Sequence, residues 1–171
     1  FLVTDLISEL FGRRKANQVV LSGLVASAFV LGMVWVAQIA PAASWSPVSD
    51  EQFTQVFGQT TLAVGASMAA YLIAQLVDVR IFHFWKALTQ GRLLWLRNNL
   101  STIPSQFLDT LTVLTLLCLV GEIQWSMFGA LLLNGFIFKV LVALADTPLV
   151  YLGAWWVRKK FNLKLGEELN L

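Results

Sequence analysis

The chain has 171 residues, of which 57% are hydrophobic and only 13% are charged, and its formal net charge is +2. A soluble domain carries charge at about 25% of its positions, so this composition excludes an ordinary water-facing surface and suits lipid. The sequence has one Cys, which excludes an internal disulfide. With only one Cys and one His, the chain also cannot form a conventional His/Cys zinc centre. Walker A, HExxH and GxSxG motifs are absent from the sequence, so we predict a non-enzyme without a cofactor.

Four apolar runs are long enough to cross a membrane, which takes roughly 20 residues of helix. The stretch before them, Phe1–Phe11, is predicted to be the end of an earlier span, so we expect at least one further span to precede it. The sequence therefore predicts an all-α transmembrane helix bundle that forms a single domain over residues 1–171. Its four full spans are Ala16–Ala40, Gly58–Val79, Leu93–Val120 and Ser126–Val157.

Basic and acidic connections alternate along the chain. The connections Gly12–Lys15 and Arg80–Arg92 and the tail from Arg158 are basic. Pro41–Phe57 and Gly121–Trp125 carry only acidic charges. Because cytoplasmic loops carry an excess of Lys and Arg, this alternation predicts four consecutive spans with the C-terminus in the cytoplasm.

Between the second and third spans, Arg80–Gly91 has a helical period. Its aromatic and aliphatic side chains share one side, and its charged side chains share the other. This pattern predicts one amphipathic helix lying in the cytoplasmic interface. His83 falls on the polar side, where we expect a solvated side chain rather than a proton switch.

Ionisable residues inside the spans cost about 2.5–3.5 kcal/mol each on insertion scales, so they usually face a cavity or a partner. In the first stretch Asp5 and Glu9 are four residues apart and share one side of the helix. Two carboxylates this close imply a bound proton or a nearby cation, unless water reaches both at the helix end. The second full span carries a polar stripe that descends to the cytoplasmic side: Ser67, Tyr71, Gln75 and Asp78.

The third span is the most polar. One arc of about 140° on its helical wheel collects amide, hydroxyl and carboxyl side chains. Pro104 lies in the middle and predicts a break, which is tolerated at membrane depth where it lines a cavity. A helix seam held by Ser and Thr is the alternative, but it does not explain Asp109. The arc contains Asn98, Ser101, Thr102, Ser105, Gln106, Asp109 and Thr112, with Asn99 at its margin.

In the fourth span, Lys139 and Asp146 share one face but stand about 10 Å apart along the axis. They are therefore not expected to pair with each other. Lys139 is too deep in the span to reach the interface, so we expect it to pair with a carboxylate on another helix, either Asp109 or Glu9. A structural ion pair and a pair that opens on binding both remain possible interpretations.

Together these stripes predict an intramembrane cavity that suits a small polar molecule and does not suit a lipid. The preferred function is transport of such a molecule. The alternatives are a substrate-binding subunit that works with a separate ATPase and a structural subunit of a larger membrane complex. Beyond the bilayer and the solute, a homodimer through the small-residue face of Ala16–Ala40 is a further hypothesis. No basic face for nucleic acid is present.

Three stretches of the sequence together form a recognisable set of motifs, and Phe138-Lys139-Val140 in the fourth span adds to this set. They are Thr4–Ala16 (TDLISELFGRRKA), Ala74–Val79 (AQLVDV) and Arg97–Thr110 (RNNLSTIPSQFLDT). This set resembles the queuosine precursor transporter family, also described as vitamin-uptake-like proteins, over nearly the whole chain. The resemblance implies a bacterial inner-membrane protein that imports 7-deazaguanine precursors of queuosine.

Carried over residue by residue, the resemblance implies a substrate site, to which the helix-face argument adds Asp146. A 7-deazaguanine offers a carbonyl, ring N–H groups and an exocyclic amine. Asp109 or Glu9 could accept from the N–H and amine edge, and Gln106 or Asn99 could meet the carbonyl. The coupling ion stays open, with three carboxylates, Asp5, Glu9 and Asp109, as candidate proton carriers. The implied substrate-binding residues are Asp5, Glu9, Gln75, Asp78, Asn99, Ser105, Gln106, Asp109 and Lys139.

Overall fold

In the computed structural model, the protein is a bundle of helices. The structure describes residues 1–90, 92–164 and 167–169, and the side chains of all these except 59–62; this part of the chain forms four helices and no strand. All four helices are long and apolar enough to cross a membrane, which confirms the predicted all-α transmembrane bundle. They are α1 (Leu2–Ile39), α2 (Asp50–Leu88), α3 (Leu94–Leu119) and α4 (Trp125–Phe161).

The helix α1 is interrupted at Gly12, whose φ of 79° and ψ of 175° lie outside the helical region. Only glycine adopts this backbone conformation readily, because any other side chain would clash with its own main chain. The break divides α1 into a first segment, residues 2–11, and a second segment, residues 13–39. The predicted change from the end of one span to the start of the next is confirmed at this residue.

The two segments of α1 run in opposite directions along α2. In the first segment, Asp5 lies beside Asp78. One turn later, the main-chain carbonyl of Glu9 accepts a hydrogen bond of 3.0 Å from Lys86, two turns further along α2. In the second segment the order along α2 is reversed: Val20 and Gly23 lie beside Tyr71, and Gln38 lies beside Gly58.

The first segment of α1 occupies the centre of the bundle. It packs against α2 on one side, and Leu6 contacts Gly153 of α4 on another. The third neighbour is α3, where Thr102 donates a hydrogen bond of 3.0 Å to Asp5. Four polar side chains are consequently buried among three other helices, namely Thr4, Asp5, Ser8 and Glu9.

The segment Arg80–Gly91 does not begin a separate interfacial helix, because α2 continues without a break to Leu88. Phe82 is fully buried in a cluster with Leu94 and Val150, and the expected solvated His83 is half-buried. A helical wheel assigns each side of an isolated helix to lipid or to water. In the bundle, other helices cover parts of both sides of this segment. The helical wheel therefore could not predict its environment.

The helix α3 is continuous through Pro104, so the predicted break is wrong. The proline ring is exposed on the outside of the bundle. Proline removes one main-chain hydrogen bond, but the helix on both sides is held by packing against α2 and α4. The carbonyl that loses its donor is that of Leu100, and the hydroxyl of Ser105 donates at 2.8 Å to the neighbouring carbonyl of Ser101.

The end of the bundle at Gly12 is covered by the C-terminal tail. Lys86 is buried there and pairs with Glu168 at 2.8 Å. The main-chain N–H of Leu169 donates to the carbonyl of Leu10 at 2.7 Å. The tail therefore lies directly over the reversal of the chain.

Candidate functional site

A cavity of about 100 Å³ lies between the first segment of α1, α3 and α4. A cavity needs roughly 10–15 Å³ of such space to hold one water molecule, so this cavity admits more than one water-sized group. Asn98 and Thr102 contribute to its polar wall, while Val142 and Val150 contribute to its apolar wall. Four of the predicted site residues line it: Asp5, Gln106, Lys139 and Asp146.

An ion pair between two helices borders this cavity. The ammonium group of Lys139 on α4 pairs with the carboxylate of Asp109 on α3, and both side chains are partly exposed. One of the two partners predicted for Lys139 is thereby confirmed. Asp146 does not pair with Lys139, as expected from their separation, and it takes part in none of the ion pairs between described residues.

A pair of carboxyl groups lies behind the cavity, between the first segment of α1 and α2. Asp5 and Asp78 are neighbours and are 2% and 0% exposed. Neither carboxyl oxygen of Asp78 has a hydrogen-bond partner among the described residues. The hydroxyl group of Ser105 on α3 donates to the carbonyl of Ser101. Asp78 and Ser105 do not line the cavity, in contrast to Asp5 and Gln106.

Gln75 is buried one turn before Asp78 on α2, and its exposed fraction is 1%. Its side-chain carbonyl oxygen accepts no hydrogen bond from the part of the chain that the structure describes. Gln75 is not among the residues that line the cavity. At Gln75, the polar stripe predicted for the second span therefore faces the interior of the bundle and lies outside the cavity lining.

Glu9 is held by two arginines and lies outside the cavity lining. Nε of Arg97 donates to one carboxylate oxygen at 3.0 Å, and Arg158 pairs with the other. Glu9 and Arg97 are fully buried. The cation expected beside the two acidic residues of α1 is confirmed for Glu9, whereas Asp5 meets a second carboxyl group instead.

The sequence analysis did not predict Arg97 and Arg158 as partners of Glu9, because Arg158 was assigned to the cytoplasmic tail and Arg97 was left out of the polar arc of the third span. A signal for Arg97 was present, since it precedes Ser101 by four residues and Ser105 by eight. It therefore belongs to the same helical face as the polar arc. No comparable pattern marked Arg158, which follows two exposed tryptophans at the end of α4.

Asn99 lies in the seam between α3 and α4. Its side-chain amide donates to the carbonyl of Trp95 at 2.8 Å and to the hydroxyl of Thr147 at 3.1 Å. Its neighbour Asn98 lines the cavity instead, and the Oδ1 atom of Asn98 has no hydrogen-bond partner among the described residues. Adjacent residues of a helix point about 100° apart, so Asn98 lines the cavity and Asn99, which the resemblance implied, does not.

A model of the family described as "Putative vitamin uptake transporter" matches residues 1–153. The chain belongs to this vitamin uptake transporter family. It is also similar to a protein of Bacillus subtilis (strain 168) named "Probable queuosine precursor transporter", with 28% identity over 155 residues. That alignment covers 88% of this chain and 66% of the relative, so the chain spans 66% of the relative's length. No solved structure matches the chain.

The resemblance inferred from the sequence motifs is confirmed by these comparisons. With its four apolar helices, this member of the vitamin uptake transporter family is an integral membrane protein. The cavity and the Asp5–Asp78 pair lie within the residues that the family model matches. Arg158 and Glu168, which close the Gly12 end of the bundle, lie beyond residue 153.

Proposed function

We propose that the protein imports a small polar heterocycle, a 7-deazaguanine precursor of queuosine, through the cavity beside Asp5. The observation that carries this proposal is the cavity itself, which places carboxyl, amide and ammonium groups among helices of a membrane-spanning bundle. Ionisable groups at such positions are costly to insert and usually mark a substrate or ion pathway. Membership of the vitamin uptake transporter family and the name of the Bacillus subtilis relative support the same function.

The chemistry of the cavity matches a flat heterocycle with both donors and acceptors. Oδ1 of Asp5 and Oδ1 of Asn98 are acceptors without partners among the described residues, so they suit the N–H and amine edge of a purine-like ring. Lys139 uses one N–H on Asp109 and retains two further donors for a carbonyl oxygen. Gln106 offers an amide that can both donate and accept.

The proposed orientation places the Gly12 end of the bundle in the cytoplasm of a bacterium, with the protein in the inner membrane. The basic connection after Gly12, the end of α2 and the tail from Arg158 all meet at this end, through the contacts of Lys86 and Glu9. Cytoplasmic loops are the ones enriched in Lys and Arg. Transport toward this end would be import.

The test is ligand-induced thermal stabilisation of the intact purified protein, with a panel of 7-deazaguanines, guanine and common vitamins. A ligand at 100 times its dissociation constant adds about 2.7 kcal/mol to the stability of the folded state. We expect a rise in the unfolding midpoint with 7-deazaguanines and a smaller rise, or none, with the rest of the panel. A folded protein that responds to no compound would contradict the proposal and favour a structural subunit of a larger complex.

A further inference from the structure

The two carboxyl groups at the centre of the bundle, Asp5 and Asp78, have an arrangement that solute binding alone does not require. The two side chains are neighbours and are almost completely buried. Oδ1 of Asp5 and both carboxyl oxygens of Asp78 accept no hydrogen bond from the described residues. A carboxylate can only accept hydrogen bonds, whereas a protonated carboxyl group also donates one. A proton held between the first segment of α1 and α2 would therefore supply the donor that both groups lack.

The immediate surroundings of this pair contain hydroxyl groups. Thr102 donates to Asp5 at 3.0 Å, whereas Ser101 and Ser105 donate to main-chain carbonyls of α3. Neither carboxyl group takes part in an ion pair within residues 1–90, 92–164 and 167–169. Two adjacent negative charges in a buried site repel each other strongly, and a proton shared by the two groups would remove this repulsion.

Other charged groups around the pair are mostly neutralised by one another. Glu9 is taken by its two arginines, and Asp109 is taken by Lys139. Asp146 stands on the α4 wall of the cavity without an ion pair among the described residues. The charged groups on the elements that pack around the pair are Glu9 on α1, Lys86 on α2, Arg97 and Asp109 on α3, and Lys139, Asp146 and Arg158 on α4.

The carboxyl pair is connected to the cavity through Asp5. Asp5 lines the cavity and is also a neighbour of Asp78. Its Oδ2 atom accepts from Thr102, and its Oδ1 atom has no partner in the described part of the chain. Asn98, which is 3% exposed, lines the same cavity with an Oδ1 atom that is equally unpartnered and calls for a donor that enters the cavity. Because Asp5 belongs both to the cavity and to the carboxyl pair, a solute in the cavity meets a group whose protonation can change.

We infer that the Asp5–Asp78 pair binds the proton whose movement down its gradient drives solute import; this inference rests on the proposed transport function. The proton binds to an oxygen of the pair on one side of the membrane and is released on the other, and no bond in the solute changes. Release leaves two adjacent carboxylates whose repulsion favours separation of the first segment of α1 from α2. By linkage, a solute that binds better to the protonated state also strengthens proton binding.

The test uses the intact protein in proteoliposomes with a radiolabelled 7-deazaguanine. Accumulation is measured under an imposed inside-alkaline pH gradient of one unit, and exchange of external label for internal unlabelled solute is measured at equal pH. One proton per solute permits about tenfold accumulation under this gradient. We expect Asp78→Asn to abolish accumulation and to keep exchange within threefold of wild type, since Asp78 does not line the cavity. Asp50→Asn, at the exposed start of α2, is the matched control and should behave as wild type.

Each other outcome overturns the inference. Accumulation by folded Asp78→Asn would show that the pair does not couple transport, and loss of its exchange would make the pair part of the solute site. Wild-type uptake driven by a sodium gradient alone, with no response to the pH gradient, would replace the proton by another ion. Wild-type protein that exchanges no 7-deazaguanine would contradict the proposed function itself, which distinguishes the two failures.

A second measurement does not depend on the folding of any variant. Wild-type proteoliposomes in weakly buffered medium should alkalinise the outside when solute is added, because each imported molecule brings a proton with it. A pH-sensitive dye reports this change. Import of label without any alkalinisation would overturn the inference.

Discussion

At the scale of single residues, acidic side chains inside the bundle differ in what they contact. Glu9, Asp109 and their basic partners form ion pairs between helices, whereas Asp5 and Asp78 meet each other. The first group links α1, α3 and α4, and its removal is expected to affect folding. The second group lies beside the cavity, where its removal is expected to affect transport.

Glu9→Gln should destabilise the protein more than Arg97→Met. Removing one partner of a buried pair costs about 3–5 kcal/mol because the other charge is left uncompensated. Glu9→Gln leaves two arginines without a counter-charge, whereas Arg97→Met leaves the Glu9–Arg158 pair intact. The midpoint of thermal unfolding in detergent measures the difference, with Arg14→Met on the exposed surface as the control. Equal losses in the two variants would contradict this ranking.

Gln106→Ala should reduce uptake of a 7-deazaguanine without lowering the unfolding midpoint. A lost hydrogen bond to a buried polar ligand costs about 1–3 kcal/mol, which corresponds to a reduction of roughly five- to 150-fold. Asp109→Ala should also lose uptake, but it leaves Lys139 unpaired and is therefore less informative. Gln18→Ala, on the exposed side of α1, is the matched control. Wild-type uptake in both cavity variants at normal expression would exclude these residues from the solute site.

The central element of the fold is the first segment of α1. Its position depends on the reversal at Gly12, which turns the chain from the interior of the bundle to its outer side. The segment brings Asp5 to the cavity and Glu9 to the arginines of α3 and α4. Polar stripes on three different helices therefore converge because this segment lies between them.

Gly12→Ala should destabilise this reversal. A non-glycine residue in the backbone conformation of Gly12 costs about 1–3 kcal/mol, and an added Cβ would lie 2.2 Å from Oε2 of Glu168. Gly129→Ala in α4 is the control, because its added Cβ meets nothing within 4 Å. That control should be neutral or stabilising by up to about 1 kcal/mol. Unfolding midpoints measure both variants.

The double variant Gly12→Ala with Glu168→Ala separates backbone strain from the steric clash. Glu168 presents only the end of a flexible side chain, so its removal should recover a minor part of the loss. Full recovery would show that the backbone at Gly12 accepts an alanine without strain, contrary to the expectation.

The whole molecule has a polar interior and an apolar outer surface. In the most apolar 18-residue stretch of α1 and of α4, only 6% of the residues are buried inside the bundle. Such faces suit contact with lipid tails or with further apolar helices. Polar side chains are gathered inside, where they can contact one another and a solute.

Accessibility of introduced cysteines tests the orientation of the bundle. In a protein with the buried Cys118 replaced by Ala, single cysteines are placed at exposed positions in four connections or helix ends. A membrane-impermeant maleimide applied to intact cells should label cysteines that replace Ser44 and Glu122, since their connections are acidic. Cysteines at Arg14 and Lys160 should react only after permeabilisation. The opposite labelling would reverse the proposed orientation, and labelling of all four from outside would contradict the helix order.

The sequence by itself determined the four apolar spans and their order, and it placed a change of span at Gly12–Lys15, because these follow from hydrophobic length and from the alternation of loop charges. The structure places the break at Gly12 itself. It also placed the polar faces of the spans correctly enough to select four residues that line the cavity, and it found Asp109 as a partner for Lys139. The family followed from motifs that the comparisons confirm.

Only the tertiary structure decided which polar groups contact each other. The helical period assigns residues to one face of a helix, but it does not show which helix packs against that face. Glu9 and Asp5 share a face and are one turn apart, yet one is neutralised by arginines and the other contacts Asp78. The segment after Arg80 reads as an interfacial helix in isolation, but other helices cover parts of both its sides. Packing between elements distant in sequence therefore separated the structural ion pairs from the candidate proton site.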